Sequence, residues 1–308
     1  MFAVETQQLA KTYGDFRCLI DCSMQVGEGI VFGLLGPNGA GKSTLIRTLM
    51  GFLNISAGKA TVCGFDVATD TLNVRRNCAY LPGDPRLYRA MRGRAVLELF
   101  SGLHHHANLS RSIQVAERLG LDLSRRVMFM STGMRQNLAT SIVASSKAPL
   151  VILDEPTANL DPNVRATVLE LIREIRADGR TVILSSHIFS DIDDTCDEVA
   201  ILRSGRIVTQ QSMSEVSNTH LVHGRLPSNQ VDVFESNCSD MSFVQNLTVA
   251  EEGTESAIQM TLASTPDHWL KWLHDSPVTD MSIQRSGVAA LYRQFHSETV
   301  GQDAGVAT

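Results

Sequence analysis

The sequence predicts an α/β core with a helical insert, followed by a small α+β module. Three observations lead to that class. First, three short apolar runs (Ile30 to Leu35, Leu150 to Leu153 and Thr181 to Leu184) each give way at once to polar or glycine-rich residues, as strands buried on both faces of a helix-covered parallel sheet do. Second, Val168, Leu171, Ile172 and Ile175 recur at i, i+3, i+4 and i+7 inside Val164 to Ala177, which is the helical period. Third, beyond Thr209 the composition turns polar, and apolar residues alternate over short stretches. A chain of 308 residues has room for two units, because domains usually run to about 100 to 200 residues.

Taken in order, the first unit is expected over residues 1–215. From about 85 to 148 its pattern is mostly helical, with Val96, Leu97, Leu99 and Phe100 and then Val115, Leu119 and Leu121 as the apolar positions. The Ser/Asn-rich segment QQSMSEVSNTHLVHGRLPSNQ reads as a helix and linker. The second unit, 216–308, offers Val231 to Glu235, Ala257 to Ala263 and Val278 to Gln284 as half-exposed strands. Two amphipathic helices complete it, one after Pro266 with Trp269, Trp272 and Leu273, the other with Val288, Leu291, Tyr292 and Phe295.

Composition excludes several classes of function. With 27 Lys and Arg against 33 Asp and Glu the net charge is -6, the wrong sign for a nucleic-acid partner. Six cysteines without C-x-x-C spacing argue against a zinc site or disulfide framework and fit a reducing, cytoplasmic setting. No apolar run approaches the roughly 18 residues that span a bilayer, and the amino terminus lacks the pattern of a secretory signal. His104, His105 and His106 are consecutive, so on a helix they point about 100° apart and cannot converge on one ion. Met128, Met130 and Met134 read as adaptable packing.

The chemistry starts at Gly36-Pro37-Asn38-Gly39-Ala40-Gly41-Lys42-Ser43, which fits G-x-x-x-x-G-K-[ST] between an apolar strand and the helix-like Thr44 to Met50. Glycines let the backbone curl around an anion, so that N–H groups and a helix N-terminus face the β- and γ-phosphates of a nucleoside triphosphate. Lys42 adds a point charge, and Ser43 offers a hydroxyl to Mg²⁺. Further on, the apolar strand Leu150 to Leu153 ends in Asp154 and Glu155. Asp154 suits a magnesium ligand and Glu155 a group that polarises an attacking water. Alternation along a strand would point the two carboxylates apart.

Met130-Ser131-Thr132-Gly133-Met134-Arg135-Gln136, just ahead of the helical pattern Asn137 to Ser145, resembles the signature motif of ATP-binding-cassette ATPases. The run GPNGAGKST (Gly36 to Thr44), this signature, the segment VILDEP, the loop Asn159-Leu160-Asp161 and His187 in LSSHIF occur in the order and spacing of that family, over about residues 1 to 210. On that likeness the chain is identified as a member, in the drug and antibiotic exporter branch. The resemblance implies a P-loop cassette with a mixed sheet core, a helical subdomain and an antiparallel β edge. It implies ATP and Mg²⁺ as ligands and hydrolysis as the activity. Tyr13 matches the aromatic that stacks on adenine, His187 the residue that senses the γ-phosphate, and Ser131 and Gly133 the residues that meet the γ-phosphate of a second copy's ATP. Ser131 is equally suited to capping a helix, and the two roles are compatible.

Two departures stand out. Gly83 occupies the place where the family usually has a glutamine, which leaves Asp84 or solvent to supply that ligand. Thr132 and Met134 replace a glycine and a glutamine of the signature; the added Cβ of Thr132 matters if the backbone there needs φ > 0. The expected function is the ATPase subunit of an exporter, pairing with a second copy and with an integral membrane permease, and held peripherally on the inner face of the membrane by that permease. The exposed apolar pair Leu87 and Tyr88 is the expected contact patch. A soluble clamp or assembly factor, and a regulatory module with little hydrolysis, are the competing readings. The segment beyond residue 210 resembles the small C-terminal domain of drug-exporter ATPases, as a dimer brace or a regulatory sensor.

Overall fold

The computed structural model describes residues 1–103, 106–158 and 160–297; the sequence readings on His104, His105 and Asn159 lie outside them. The chain divides into Met1–Gln211 and Ser212–Thr308. The expected boundary after residue 215 falls inside a short helix, so the division lies ahead of that helix.

In the first unit β1 (Phe2–Tyr13) and β2 (Phe16–Gly27) form a long hairpin, and β3 (Val31–Leu35) leads into α1 (Lys42–Leu49). There follow β4 (Ala57–Val62), β5 (Phe65–Asp66), α2 (Thr71–Arg76) and β6 (Cys78–Leu81). The helical insert holds α3 (Gly93–Leu103), α4 (Leu109–Arg118) and α5 (Thr132–Ser145). The unit closes with β7 (Leu150–Asp154), α6 (Pro162–Ala177), β8 (Thr181–Ser186), α7 (Phe189–Thr195), β9 (Glu198–Arg203) and β10 (Arg206–Ser212).

These strands make two sheets, ordered β2-β1-β4-β5 and β10-β9-β3-β8-β7-β6. The first is antiparallel. In the second, β9, β3, β8, β7 and β6 run parallel to one another. Every residue of β3, β7 and β8 is buried, which is why those strands read as unbroken apolar runs. Their register aligns Leu35 with Ser186 and Asp154 with Ser185, so the loops leaving β3, β7 and β8 emerge side by side. In open parallel sheets that edge is where ligands bind.

The insert has a core of its own, built on Val96, Leu97, Ala116, Val127, Met130 and Leu138, with Met134 packed against it. Met128, by contrast, is exposed. Leu87 also packs on this core, which corrects the expectation that it forms an exposed pair with Tyr88; only Tyr88, 58 % exposed, faces outwards.

The second unit holds α8 (Met213–Ser217), β11 (Thr219–Pro227), α9 (Val231–Ser239), β12 (Val244–Glu252), β13 (Glu255–Ala263), α10 (Pro266–His274), β14 (Thr279–Arg285) and α11 (Val288–Ser297). Strands β11 to β14 form an antiparallel sheet in the order β12-β13-β11-β14, with α9 after the first strand and α10 after the third. That is the split βαβ topology of ferredoxin-like modules. Two expectations fail here. The segment Val231 to Glu235 is the start of α9 and not a strand, because Phe234 and Cys238 extend the apolar positions at helical spacing into the core. Strand β11 occupies residues read as linker; its buried face is His220, Val222, Gly224 and Leu226, a polar and a glycine position among two apolar ones. All six cysteines are free thiols.

Candidate functional site: the cleft at the strand ends

Between β3 and α1 the chain makes a tight cradle. Gly41 has φ 108° and Gly39 φ 82°, a region open to glycine and strained for other residues. Gly36 is required for a different reason: a Cβ there would lie 2.2 Å from the Leu202 carbonyl oxygen. The turn is buttressed from behind by Gly205, whose N–H donates to the Ala40 carbonyl at 3.0 Å. Lys42 is buried and its Nζ donates to the Gly36 carbonyl at 2.6 Å. It also stands 3.6 Å from Glu155 Oε1.

Asp154, the last residue of β7, is buried and accepts a 2.7 Å hydrogen bond at Oδ1 from Ser185 Oγ. Its Oδ2 faces Gly83, lying 3.9 Å from where a Cβ on that glycine would stand. Burial and then the Asp154 charge raise the pKa of Tyr80 above the ordinary phenol value, so that ring stays neutral beside the carboxylate.

Glu155 leaves the strand with φ 53°, a left-handed conformation rare for a residue with a Cβ, held by its N–H donating to the Ser185 carbonyl at 3.1 Å. The strand has already ended at Asp154, so this backbone reversal, and not the alternation of a strand, sets the course of Glu155. Glu155 Oε2 lies 2.5 Å from His187 Nδ1. Thus Lys42, at the start of α1, and Glu155 and His187, from the loops after β7 and β8, meet through one carboxylate.

An open cleft of about 460 Å³ lies over these groups, lined by Cys18, Pro37, Asn38, Gly39, Gly41, Lys42, Ser43, Thr44, Gly83, Glu155, Ala158 and His187. Most of the residues singled out in the sequence come together here, with Gly36 and Ala40 behind them as backbone supports. Cys18 and Ala158 were not foreseen; Cys18 is tied in by its thiol, 3.3 Å from Thr44 Oγ1. Tyr13 does not line the cleft. It sits half-exposed at the tip of the β1–β2 hairpin with Lys11 Nζ 5.2 Å from its ring centre. Asp84 is also apart, exposed and 3.9 Å from Arg86.

Ser131 and Gly133 are likewise not among the lining residues. Ser131 caps α5, accepting from the Met134 N–H at 3.2 Å. Thr132 is the first residue of that helix, so its backbone is right-handed and its Cβ carries no strain penalty. Gln136, buried in the same helix, donates to the Glu155 carbonyl at 3.5 Å and joins α5 to the acidic loop. Asp161 caps α6, with Pro162 in its first turn.

Residues 19–158 match the family model described as ABC transporter. A daunorubicin resistance ATP-binding protein, DrrA3 of Streptomyces coeruleorubidus, is 34% identical over 70% of this chain and 69% of its own length. The chain belongs to the ATP-binding-cassette family. The Nod factor export ATP-binding protein I of Rhizobium etli is 33% identical over 68% of each chain. Among solved structures, the ATP-binding subunit of an ABC transporter superposes with TM-score 0.65 at 29% identity, covering 70% of this chain and 91% of that one. A dimeric cassette in a post-hydrolysis state bound to ADP and Pi gives 0.63 at 18%, over 68% and 98%. The cassette described here is accordingly an ATP-hydrolysing, ATP-binding subunit of a transporter.

The cleft fits magnesium as well as ATP, because Ser43 and Asp154 present hard oxygen donors next to a phosphate cradle. When bound there, the ion would draw charge from the phosphates. On the chain's side, the α1 N-terminus and Lys42 turn N–H groups and a positive charge towards the cleft, as an anion site requires, and the Glu155 carboxylate, with His187 Nδ1 2.5 Å away, has the chemistry of a proton acceptor.

Proposed function

We propose that this cassette hydrolyses MgATP as one of two apposed copies and drives a separate integral membrane permease of the export type. The observation that carries the reading is the separation of its two phosphate-binding elements. The cradle and Glu155 line one cleft, while Ser131, at the exposed N-terminus of α5, does not reach it. A helix N-terminus capped by serine is suited to receive an anion. Ser131 and Gly133 of one copy therefore close over the ATP held by Lys42, Ser43 and Thr44 of the other. Tyr13 stacks on the adenine from its hairpin. Closing the pair with ATP, and reopening it once phosphate leaves, is a ligand-biased two-state switch.

Export is supported by the names of the relatives, which act in daunorubicin resistance and Nod factor export. No helix among the described residues is long and apolar enough to cross a membrane, so a permease supplies the path and places the cassette peripherally on the inner face. Tyr88, with the exposed Met128 and Phe129, forms the contact patch; Met128 N–H donates to the Arg89 carbonyl at 2.9 Å and joins the two segments.

The test uses Glu155→Gln, which slows hydrolysis and holds ATP in place. With MgATP it should elute as a dimer, and a Ser131→Cys, Asn38→Cys version should crosslink between copies. Elution as a monomer at saturating ATP, without crosslinks, would rule the paired site out.

A further inference from the structure

Asp191 belongs to none of the motifs legible in the sequence, yet it is fully buried at the edge where the three site loops emerge. Its Oδ2 accepts a 2.5 Å hydrogen bond from Thr157 Oγ1 and a 3.4 Å one from Ser186 Oγ. Its Oδ1 takes Arg165 Nε at 2.6 Å, and Arg165 continues to Ser190 Oγ at 2.6 Å. These partners come from three different places. Thr157 is two residues beyond Glu155, Ser186 immediately precedes His187, and Arg165 lies in the first turns of α6, four residues after its cap Asp161.

The side chains that carry out hydrolysis are loosely enclosed: Glu155 is 20 % exposed and His187 54 % exposed. Packing alone therefore does not hold their 2.5 Å contact, and the backbones beneath them must. A buried carboxylate is costly unless every acceptor site is matched, so its donors are bound to a single arrangement. We propose that Asp191 is the positioning residue for hydrolysis, clamping the Glu155 loop, the His187 loop and the start of α6 in one register without touching nucleotide. The inference rests on Glu155 and His187 acting in the chemistry.

The experiment measures kcat, KM and the Kd for ATP of the full chain and its variants. Thr157→Val removes one donor to Asp191 with almost no change of shape, and Thr157→Ser keeps it. Misplacing a reacting group by about 1 Å costs up to about 100-fold, so Thr157→Val and Asp191→Asn should lower kcat by about 10- to 100-fold. Their Kd for ATP should stay at the wild-type value, and Thr157→Ser should keep wild-type kcat. A purely structural role would lower kcat and affinity together, and that result overturns the proposal. So does wild-type kcat in Thr157→Val, or a Thr157→Ser variant as slow as the valine. Should Asp191→Asn fail to fold, the two Thr157 variants decide the matter alone. Glu155→Gln serves as reference: wild-type turnover there removes the assignment of the base, and the inference with it.

Discussion

The two units of this chain bury polar groups very differently. In the first, Lys42, Asp154, Thr157, Ser185, Ser186 and Asp191 are all buried near the ends of β3, β7 and β8. In the second, the core is Val222, Leu226, Phe234, Ile258, Met260 and Trp269, with Trp269 Nε1 donating to the Ser264 carbonyl at 3.2 Å, and the polar side chains buried among its described residues are His220, Ser256 and Ser286, with no acid or lysine among them. Burying charge costs free energy that an apolar core never incurs. The first unit therefore carries the cost of buried charge at its strand ends, whereas the second buries no acid or lysine among its described residues.

The sharpest way to break this contrast is to alter the first unit's reactive group. Glu155→Gln should cut turnover by about 10² to 10⁴, the usual worth of a general base, and leave the Kd for ATP unchanged. Unaltered turnover would mean that the buried polar cluster serves something other than hydrolysis. In the second unit the large effect should be on stability instead. Trp269 is 1 % exposed and lies 5.1 Å from the His220 ring, so Trp269→Ala should destabilise that unit by about 3 to 5 kcal/mol. Calorimetry of the full chain would show one transition shifted down; an unmoved profile would deny Trp269 its central place.

The smallest expected effect probes the departure at Gly83. A Cβ there meets its nearest atom, the Asp154 carbonyl oxygen, at 3.4 Å, which is ordinary contact, and the glycine is not in a left-handed conformation. Gly83→Gln should fold normally and place an amide beside Asp154. The Mg²⁺ concentration for half-maximal ATP hydrolysis should then fall by about tenfold, the scale of a supporting contact to a metal ligand. If magnesium dependence is unchanged, the glycine does not leave a gap in the metal's surroundings.

Much of the first unit was legible because its signals are local. A cradle needs glycine where φ is positive or backbones touch, and a doubly covered strand needs an unbroken apolar run; both leave marks on consecutive residues. The second unit was harder. Five alternating residues from Val231 satisfy a strand, but the helical period becomes decisive only when Phe234 and Cys238 are read together. Strand β11 was missed because His220 and Gly224 stand on its buried face, where an apolar pattern was sought.

By itself, then, the amino-acid sequence located a triphosphate cradle, candidates for a magnesium-binding acid and a general base, and a signature helix, since each is written in neighbouring residues. Only tertiary structure decided which of them share a cleft. It set Lys42, Glu155 and His187 together, put Ser131 elsewhere, and turned Glu155 through a left-handed backbone. It also raised Asp191 to the centre of a network whose members Thr157 and Ser186 are brought close by the parallel pairing of β7 with β8. Hydrogen bonds depend on distances of about 3 Å between atoms, and no spacing along the chain encodes those when the partners sit on different strands.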